Sequence, residues 1–244
     1  MQTFPIELVE NAPISANTRV LRFKKTDGSN FAFRPGEFVS LHIPDENGDI
    51  LKRSYSIATL TDNPLDAQVL ELVASFVENG RATKWIWQAK PGAEIAYAGP
   101  LGQLVLPEEK PGRLILMATG TGVAPYRSML HQLRPWLEQG LEVHVLFGVR
   151  ERQEAFYLDD FRATAKAHPN FHFSLCLSRQ RAETKDEFSG RVTARLAALV
   201  PNMERDLVYL CGNPAMVDET YAMLKAAGFG VRSVRREKYV FSRN

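Results

Sequence analysis

The chain has 244 residues, 45% apolar and 24% charged, with a formal net charge of +2; this is the profile of one large or two ordinary globular domains, not of a disordered chain. No apolar run approaches the ~18 residues of a membrane-spanning helix, MQTFPIELVE lacks the basic head and apolar stretch of a secretory signal, and so small a net charge makes no case for nucleic acid. Two cysteines, Cys176 and Cys211, are too few for a disulfide framework or for an iron–sulfur cluster of the chain's own, so a reduced, cytoplasmic setting is expected.

The first part of the chain reads as short extended runs between turn signals: FPIELVEN, TRVLRFKK, FVSLHIP, SYSIATL, VLELVASFV and AEIAYAG. Asp27-Gly28, Pro35-Gly36, Asn47-Gly48, Asn79-Gly80 and Pro91-Gly92 punctuate them. This spacing predicts an antiparallel barrel or sandwich, interrupted by one helix, RATKWIWQ, after Gly80. Past PEEKPG at 107–112 the texture changes. RLILMA, EVHVLFGV, FHFSLCLS and DLVYLCG read as strands. VAPYRSMLHQLRPWLEQG, EAFYLDDFRATAKAH, TARLAALV and AMVDETYAMLKAAG read as helices between them, and VRSVRREKYVF as a last extended segment. Such alternation builds a parallel sheet covered on both faces. The two domains are therefore expected at 1–108 and 109–244. Residues 1–108 carry 10 Lys/Arg against 13 Asp/Glu and residues 109–244 carry 20 against 15, so the second favours an anionic ligand.

Gly120-Thr121-Gly122 lies between the first strand of the alternating part and its helix. Glycines there let backbone N–H groups approach a phosphate, and a helix N-terminus favours its charge. Pro125, near the helix start, suits that position. The five histidines, His42, His131, His144, His168 and His172, show no zinc-type spacing, no Ser–His–Asp pattern is visible, and no metal ligand is expected.

Taken with RSYSIA at 53–58 and CGNPAMV at 211–217, the GTGVAP segment resembles the ferredoxin/flavodoxin–NADP reductase family of the bacterial, FAD-containing type. FRPGEFVSLHI and AGPLGQL also look like segments of that family. The resemblance implies an N-terminal antiparallel flavin-binding β-barrel followed by a C-terminal α/β parallel-sheet nucleotide-binding domain, with FAD and NADP(H) as cofactors. It implies that Arg53 pairs with the FAD pyrophosphate, where a guanidinium fork suits. Tyr55 would lie against the isoalloxazine ring and Ser56 would hydrogen-bond its N5. Gly80, Arg81, Ala82 and Thr83 would supply a pyrophosphate site at a helix start. Thr119, Gly120, Thr121 and Gly122 would face the pyridine nucleotide, with Cys211, Gly212 and Pro214 bordering the nicotinamide. As a strand-end cysteine, Cys211 reads as a small buried residue rather than a reactive thiol. Arg150, Ser178, Arg179 and Arg191 resemble positions that hold the adenosine 2′-phosphate, which favours NADPH over NADH. Tyr239 or Phe241 would close the flavin face, and Glu237 would hydrogen-bond or relay a proton near it.

The activity implied is hydride exchange with NADP(H) and single-electron exchange with a separate ferredoxin or flavodoxin, by a monomer with no membrane insertion. Lys52, Arg81, Lys84, Arg232, Arg235, Arg236 and Lys238 are candidates for a basic rim that steers such an acidic partner. Two other enzyme readings stand beside this one. The reductase component of an oxygenase system is placed second, because those proteins commonly carry a fused ferredoxin domain that is not expected here. An NAD(P)H:flavin reductase would treat flavin as a diffusible substrate. A non-catalytic electron-transfer subunit is the reading of another class, and diaphorase turnover by the chain would count against it.

Overall fold

The computed structural model describes residues 2–239. Two compact units are present: the chain up to Leu106 together with Ala124–His131, and Pro107–Val123 together with the chain from Gln132 onward.

The first unit is a six-stranded antiparallel sheet. Its strands are β1 (Phe4–Ser15), β2 (Thr18–Lys25), β3 (Phe38–Pro44), β4 (Ile50–Ser56), β5 (Leu70–Ser75) and β6 (Glu94–Leu101). Their spatial order is β4-β3-β6-β1-β2-β5. A single bridge between Ile57 and Leu72 brings the two outer strands together, which favours the barrel over the sandwich. Alternation drives the packing. In β3, Val39, Leu41 and Ile43 are buried while Phe38, Ser40 and His42 are half-buried. Ile6, Leu8, Leu21, Phe23, Leu41 and Leu72 meet in one core. Helix α1 occupies Arg81–Gln88, the bounds expected of RATKWIWQ, and buries Ala82, Thr83 and Ile86.

The second unit is a six-stranded parallel sheet: β7 (Arg113–Thr119), β8 (Glu142–Val149), β9 (Phe171–Leu177), β10 (Glu187–Ser189), β11 (Asp206–Gly212) and β12 (Val234–Lys238). The order is β10-β9-β8-β7-β11-β12. Its helices are α2 (Ala124–Glu138), α3 (Leu158–Ala167), α4 (Val192–Ala198) and α5 (Pro214–Ala226); the start of α2, through His131, groups with the first unit. Val143–Gly148 is buried without a break, as a strand covered on both faces requires.

Several boundaries differ from the sequence reading, for local reasons. The extended run expected over 54–60 begins earlier, at Ile50, and the strand ends at Ser56; Ile57 keeps one bond to the carbonyl of Glu37 and then bridges to Leu72 instead of extending the pairing. The helix expected from Glu154 begins only at Leu158: Tyr157 adopts a left-handed conformation with φ 59°, and an Arg152–Glu154 3₁₀ turn precedes it. The last extended segment opens with a 3₁₀ turn over Val231–Ser233. β10 has three residues, too few to show a period.

The amino-terminal edge of the parallel sheet is held by a buried ion pair. Arg113 donates to Asp206 through Nε at 2.8 Å and through a terminal nitrogen at 2.5 Å. The two side chains are 5% and 0% exposed. Removing one member leaves the other charge buried without its partner. Asp206→Ala is expected to lower unfolding free energy by about 3–5 kcal/mol, measured by urea denaturation; a loss below about 1 kcal/mol would show the pair to be dispensable.

Candidate functional site

In the first unit, residues at the end of β4 and the start of α1 carry the chemistry. The two-residue period of β4 puts Arg53 and Tyr55 on one face, beside Leu41 and Val39 of β3. Tyr55 packs against the barrel core, and burial pushes its phenol up to about 12, so the ring is an un-ionised flat surface at neutral pH. The Arg53 guanidinium donates to the carbonyl of Lys52 at 2.9 Å and, among the described residues, meets no carboxylate. Ser56 falls on the opposite face at the strand end and is buried. Helix α1 begins at Gly80 without a side-chain cap and without an acidic residue in its first turn. Its leading amides are therefore left for an anion. The Arg81 side chain is not part of that opening: it pairs with Asp45 at 2.9 Å. Lys84 likewise pairs with Glu46 at 3.2 Å, so two of the expected rim cations are already matched.

Arg127 of α2 is a residue the sequence did not single out. It groups with the first unit, where it donates to the carbonyl of Ala58 at 2.6 Å and to Glu71 at 2.8 Å. It thus fixes the segment that follows Ser56. The only linear signal is its position two residues past Val-Ala-Pro, which names no partner.

In the second unit the order of strands decides the site. β7 is flanked by β8 on one side and by β11 on the other, so the connections from β7 and β11 leave in opposite directions. Their carboxyl ends form a topological switch point, where open α/β sheets bind ligands. Thr119, Gly120, Thr121 and Gly122 turn out of β7, and Cys211, Gly212 and Pro214 turn out of β11. The structure brings these two turns into contact. A Cβ at Gly122 would lie 2.3 Å from the carbonyl oxygen of Cys211, and one at Gly212 would lie 2.5 Å from that of Thr119. Neither position has room for a side chain. The Thr119 hydroxyl accepts from the Asn213 amide at 2.9 Å, which ties the turns together. Gly120, with φ +54°, has nothing within 4 Å of its Cβ position, so this stretch of backbone is open.

Two helices begin at this edge, and they differ. Asn213 accepts from the amides of Ala215 and Met216 at the start of α5. The start of α2 has no side-chain cap and no acid in its first turn. The β7 turn is therefore the one left for a phosphate.

Around the same edge, the segments after β8, β9 and β10 meet. The Arg179 amide donates to the carbonyl of Arg150 at 2.9 Å, and the Gly190 amide to that of Leu177 at 2.8 Å. Arg150, Ser178, Arg179 and Arg191 are exposed, and none of the three guanidinium groups meets a carboxylate among the described residues. The neighbouring acids are taken. Arg152 holds Glu187 through bonds of 2.6 and 2.8 Å and pairs with Glu183 at 3.3 Å, while Arg162 holds Asp186 at 2.8 Å.

Cys211 is fully buried, and burial pushes its thiol well above the ordinary range, so it offers bulk rather than a thiolate. Glu237 of β12 stands beside Cys211 in the ladder, and the Tyr239 amide donates to Gly212 at 2.8 Å. Phe241 lies outside the described residues. Of the expected rim cations before and on β12, Arg235 lies over the ring of Tyr209, Arg236 over that of Tyr221, and Lys238 pairs with Asp218 at 2.6 Å. Each of these three is engaged locally; Arg232 is exposed.

An uncharged flat ring, an unmatched guanidinium and an uncapped helix start fit a flavin dinucleotide. The open glycine turn at a switch point fits a second dinucleotide. A family model for oxidoreductase FAD-binding domains matches residues 5–106, and one for oxidoreductase NAD-binding domains matches residues 116–221. The chain is 33% identical over 216 residues to ferredoxin–NADP reductase B of Sorangium cellulosum, covering 88% of this chain and 84% of that protein. It is 31% identical to the toluate 1,2-dioxygenase electron transfer component of Pseudomonas putida, covering 94% of this chain and 65% of that protein. Among solved structures it resembles the cytochrome P450 reductase of Amycolatopsis, with a TM-score of 0.85 and 30% identity over 97% of this chain and 69% of that one. A Neisseria gonorrhoeae ferredoxin–NADP+ reductase shares the fold, with a TM-score of 0.83 at 21% identity over 98% of this chain and 99% of that one. The chain belongs to the ferredoxin–NADP reductase superfamily. It is an FAD-dependent oxidoreductase that works with a nicotinamide dinucleotide.

The Arg152–Glu187 pair beside the nucleotide edge has a pH signature. Hydrogen bonding to Arg152 holds the Glu187 carboxyl down from 4.5 to about 2, against the opposing effect of burial. A lowered folded-state pKa gives stability that is complete above the ordinary carboxylate range and lost as pH falls from 4.5 toward 2. Arg152→Ala removes the cause. Its acid-unfolding midpoint, followed by circular dichroism, should move to higher pH than that of the unaltered chain; an unchanged midpoint would contradict the assignment.

Proposed function

We propose that this chain is the NADPH-dependent reductase component of an oxygenase system, passing electrons to a separate carrier protein. Two kinds of observation support the parts of this reading.

The first is the nucleotide edge of the second unit. Bound FAD takes up electrons as a pair and releases them one at a time. This chain's residues must hold the two dinucleotides and keep their phosphates neutralised. The amides of the β7 turn receive the pyrophosphate of the nicotinamide dinucleotide. Arg150, Arg179 and Arg191, with the Ser178 hydroxyl, receive its 2′-phosphate. That no carboxylate meets the guanidinium groups of these three arginines among the described residues, while Glu183, Asp186 and Glu187 are matched elsewhere and Glu154 is held by the Arg150 amide, is the single observation that carries the preference for NADPH. A free acid in their place would serve the ribose hydroxyl of NADH. In the first unit, Arg53 and the leading amides of α1 receive the FAD pyrophosphate, Tyr55 covers the ring, and the Ser56 hydroxyl serves its reacting edge. Arg127 acts at one remove, by holding Ala58. Cys211 and Pro214 border the nicotinamide as inert walls, with Tyr239 and Glu237 beside them.

The second is the set of relatives. The sequence put exchange with a soluble ferredoxin or flavodoxin first. The relatives instead weigh toward the oxygenase reading: besides the Sorangium reductase they include electron-transfer components of toluate, propane, phenol and naphthalene oxygenase systems. The chain spans 58–64% of the propane 2-monooxygenase reductase components it matches. Its two cysteines cannot ligate a cluster within these residues, so the next carrier is another domain or molecule.

Arg179→Ala combined with Arg191→Ala should raise KM for NADPH about tenfold or more while leaving NADH use almost unchanged, since each lost charge-assisted contact costs about 1.5–3 kcal/mol. Steady-state dye reduction with both nucleotides checks this. Equal losses with both would defeat the 2′-phosphate assignment.

A further inference from the structure

At the opposite edge of the parallel sheet from the glycine turn, three ligating side chains converge. β8 opens with Glu142-Val143-His144, and the two-residue period puts Glu142 and His144 on one face. Parallel pairing sets His172 of β9 directly beside His144. The two imidazoles stack with ring centroids 4.6 Å apart. One ligand atom from each of Glu142, His144 and His172 lies within 4.8 Å of the other two. No linear spacing shows this, because the ladder, not the sequence, joins the two histidines.

His144 is 7% exposed. Its Nε2 meets Glu142 at 2.7 Å, and its Nδ1 is a buried nitrogen without a hydrogen-bond partner. The ring is thus a deeply buried group with a single polar contact. His172 is exposed and Glu142 half-buried, so both can turn toward an ion that His144 anchors.

We propose that Glu142, His144 and His172 form a binding site for a divalent transition-metal ion of the zinc type, with water completing the coordination. Two imidazoles and one carboxylate are a ligand set for zinc, and imidazole equally suits nickel and copper. Ligand bonds of about 2.0–2.2 Å place tetrahedral ligand atoms roughly 3.4 Å apart. The ion would replace the proton between Glu142 and His144, opening that contact slightly, and would draw His172 inward.

The surrounding charge permits this. Arg113 and Arg205 each approach Glu142 at 3.7 Å, and both also contact Asp206, at 2.5 and 3.5 Å. Counted with the Glu142 ligand itself, the two guanidinium groups are balanced by two carboxylates, so the site carries no net positive charge. The site stands apart from the nucleotide edge: Ile115 and Thr119 pair with His144 and Gly148, about 13 Å apart along the strand. A bound ion would clamp β8 to β9 and touch no residue assigned to the cofactors.

The test uses chelator-treated, dialysed holoprotein titrated with zinc chloride in a calorimeter. One ion per chain is expected. His172→Ala, at an exposed position that leaves the fold intact, should weaken binding by about tenfold or more, as should Glu142→Gln, whereas His168→Ala should not. Cupric ion at the same site should show coupling to two imidazole nitrogens by electron paramagnetic resonance. Absence of zinc uptake by the unaltered holoprotein, or uptake unchanged in His172→Ala, would overturn the proposal.

Discussion

Everything at the nucleotide edge depends on two backbone turns approaching more closely than any side chain allows. Gly122 lies against the Cys211 carbonyl and Gly212 against the Thr119 carbonyl, and the Thr119 hydroxyl links them through the Asn213 amide. The approach is possible only because β7 and β11 are neighbours whose following connections diverge. The strand order brings the two turns together, and the glycines let them close on one another. By contrast α5, four strands of sequence later, spends its first amides on Asn213. The two helix starts have similar sequences around proline but different capacities for an anion.

The same logic of matched and unmatched charge separates function from structure elsewhere. A raw count of cations suggests a broad basic surface. In the folded chain, Arg81, Lys84, Arg152, Arg162 and Lys238 are matched by carboxylates. Arg53, Arg150, Arg179 and Arg191 are not matched among the described residues. Charge-assisted bonds to a phosphate are strong when the guanidinium has no competing anion, so the unmatched set is the informative one. The buried Arg113–Asp206 pair belongs to the other category and serves the fold.

What was legible in the sequence follows from the range of the interactions involved. The helix RATKWIWQ, the strand runs and the GTG turn are set by local period, glycine and position, and the structure has them. Tyr157 broke the expected helix because a left-handed tyrosine has no sequence signature. β10 was invisible at three residues. Arg127 and the Glu142–His144–His172 cluster were missed for a different reason. Their partners are 69 and 28 residues away, and only strand register or helix docking brings them together. The ranking of electron partners also shifted, since no residue pattern in these 244 positions distinguishes one carrier protein from another.

The central claim is that the close turn of β7 against β11 is the seat of the nicotinamide dinucleotide, separate from the residues that hold FAD. Anaerobic titration of the visible flavin band with NADPH tests it most directly, comparing the unaltered chain with Gly122→Ala. The account predicts that both proteins are yellow with stoichiometric FAD, and that the unaltered chain bleaches at low NADPH. The variant, whose added Cβ would sit 2.3 Å from a carbonyl oxygen, should bleach only at concentrations about tenfold higher or more. Bleaching of the variant at the same NADPH concentration as the unaltered chain would contradict it.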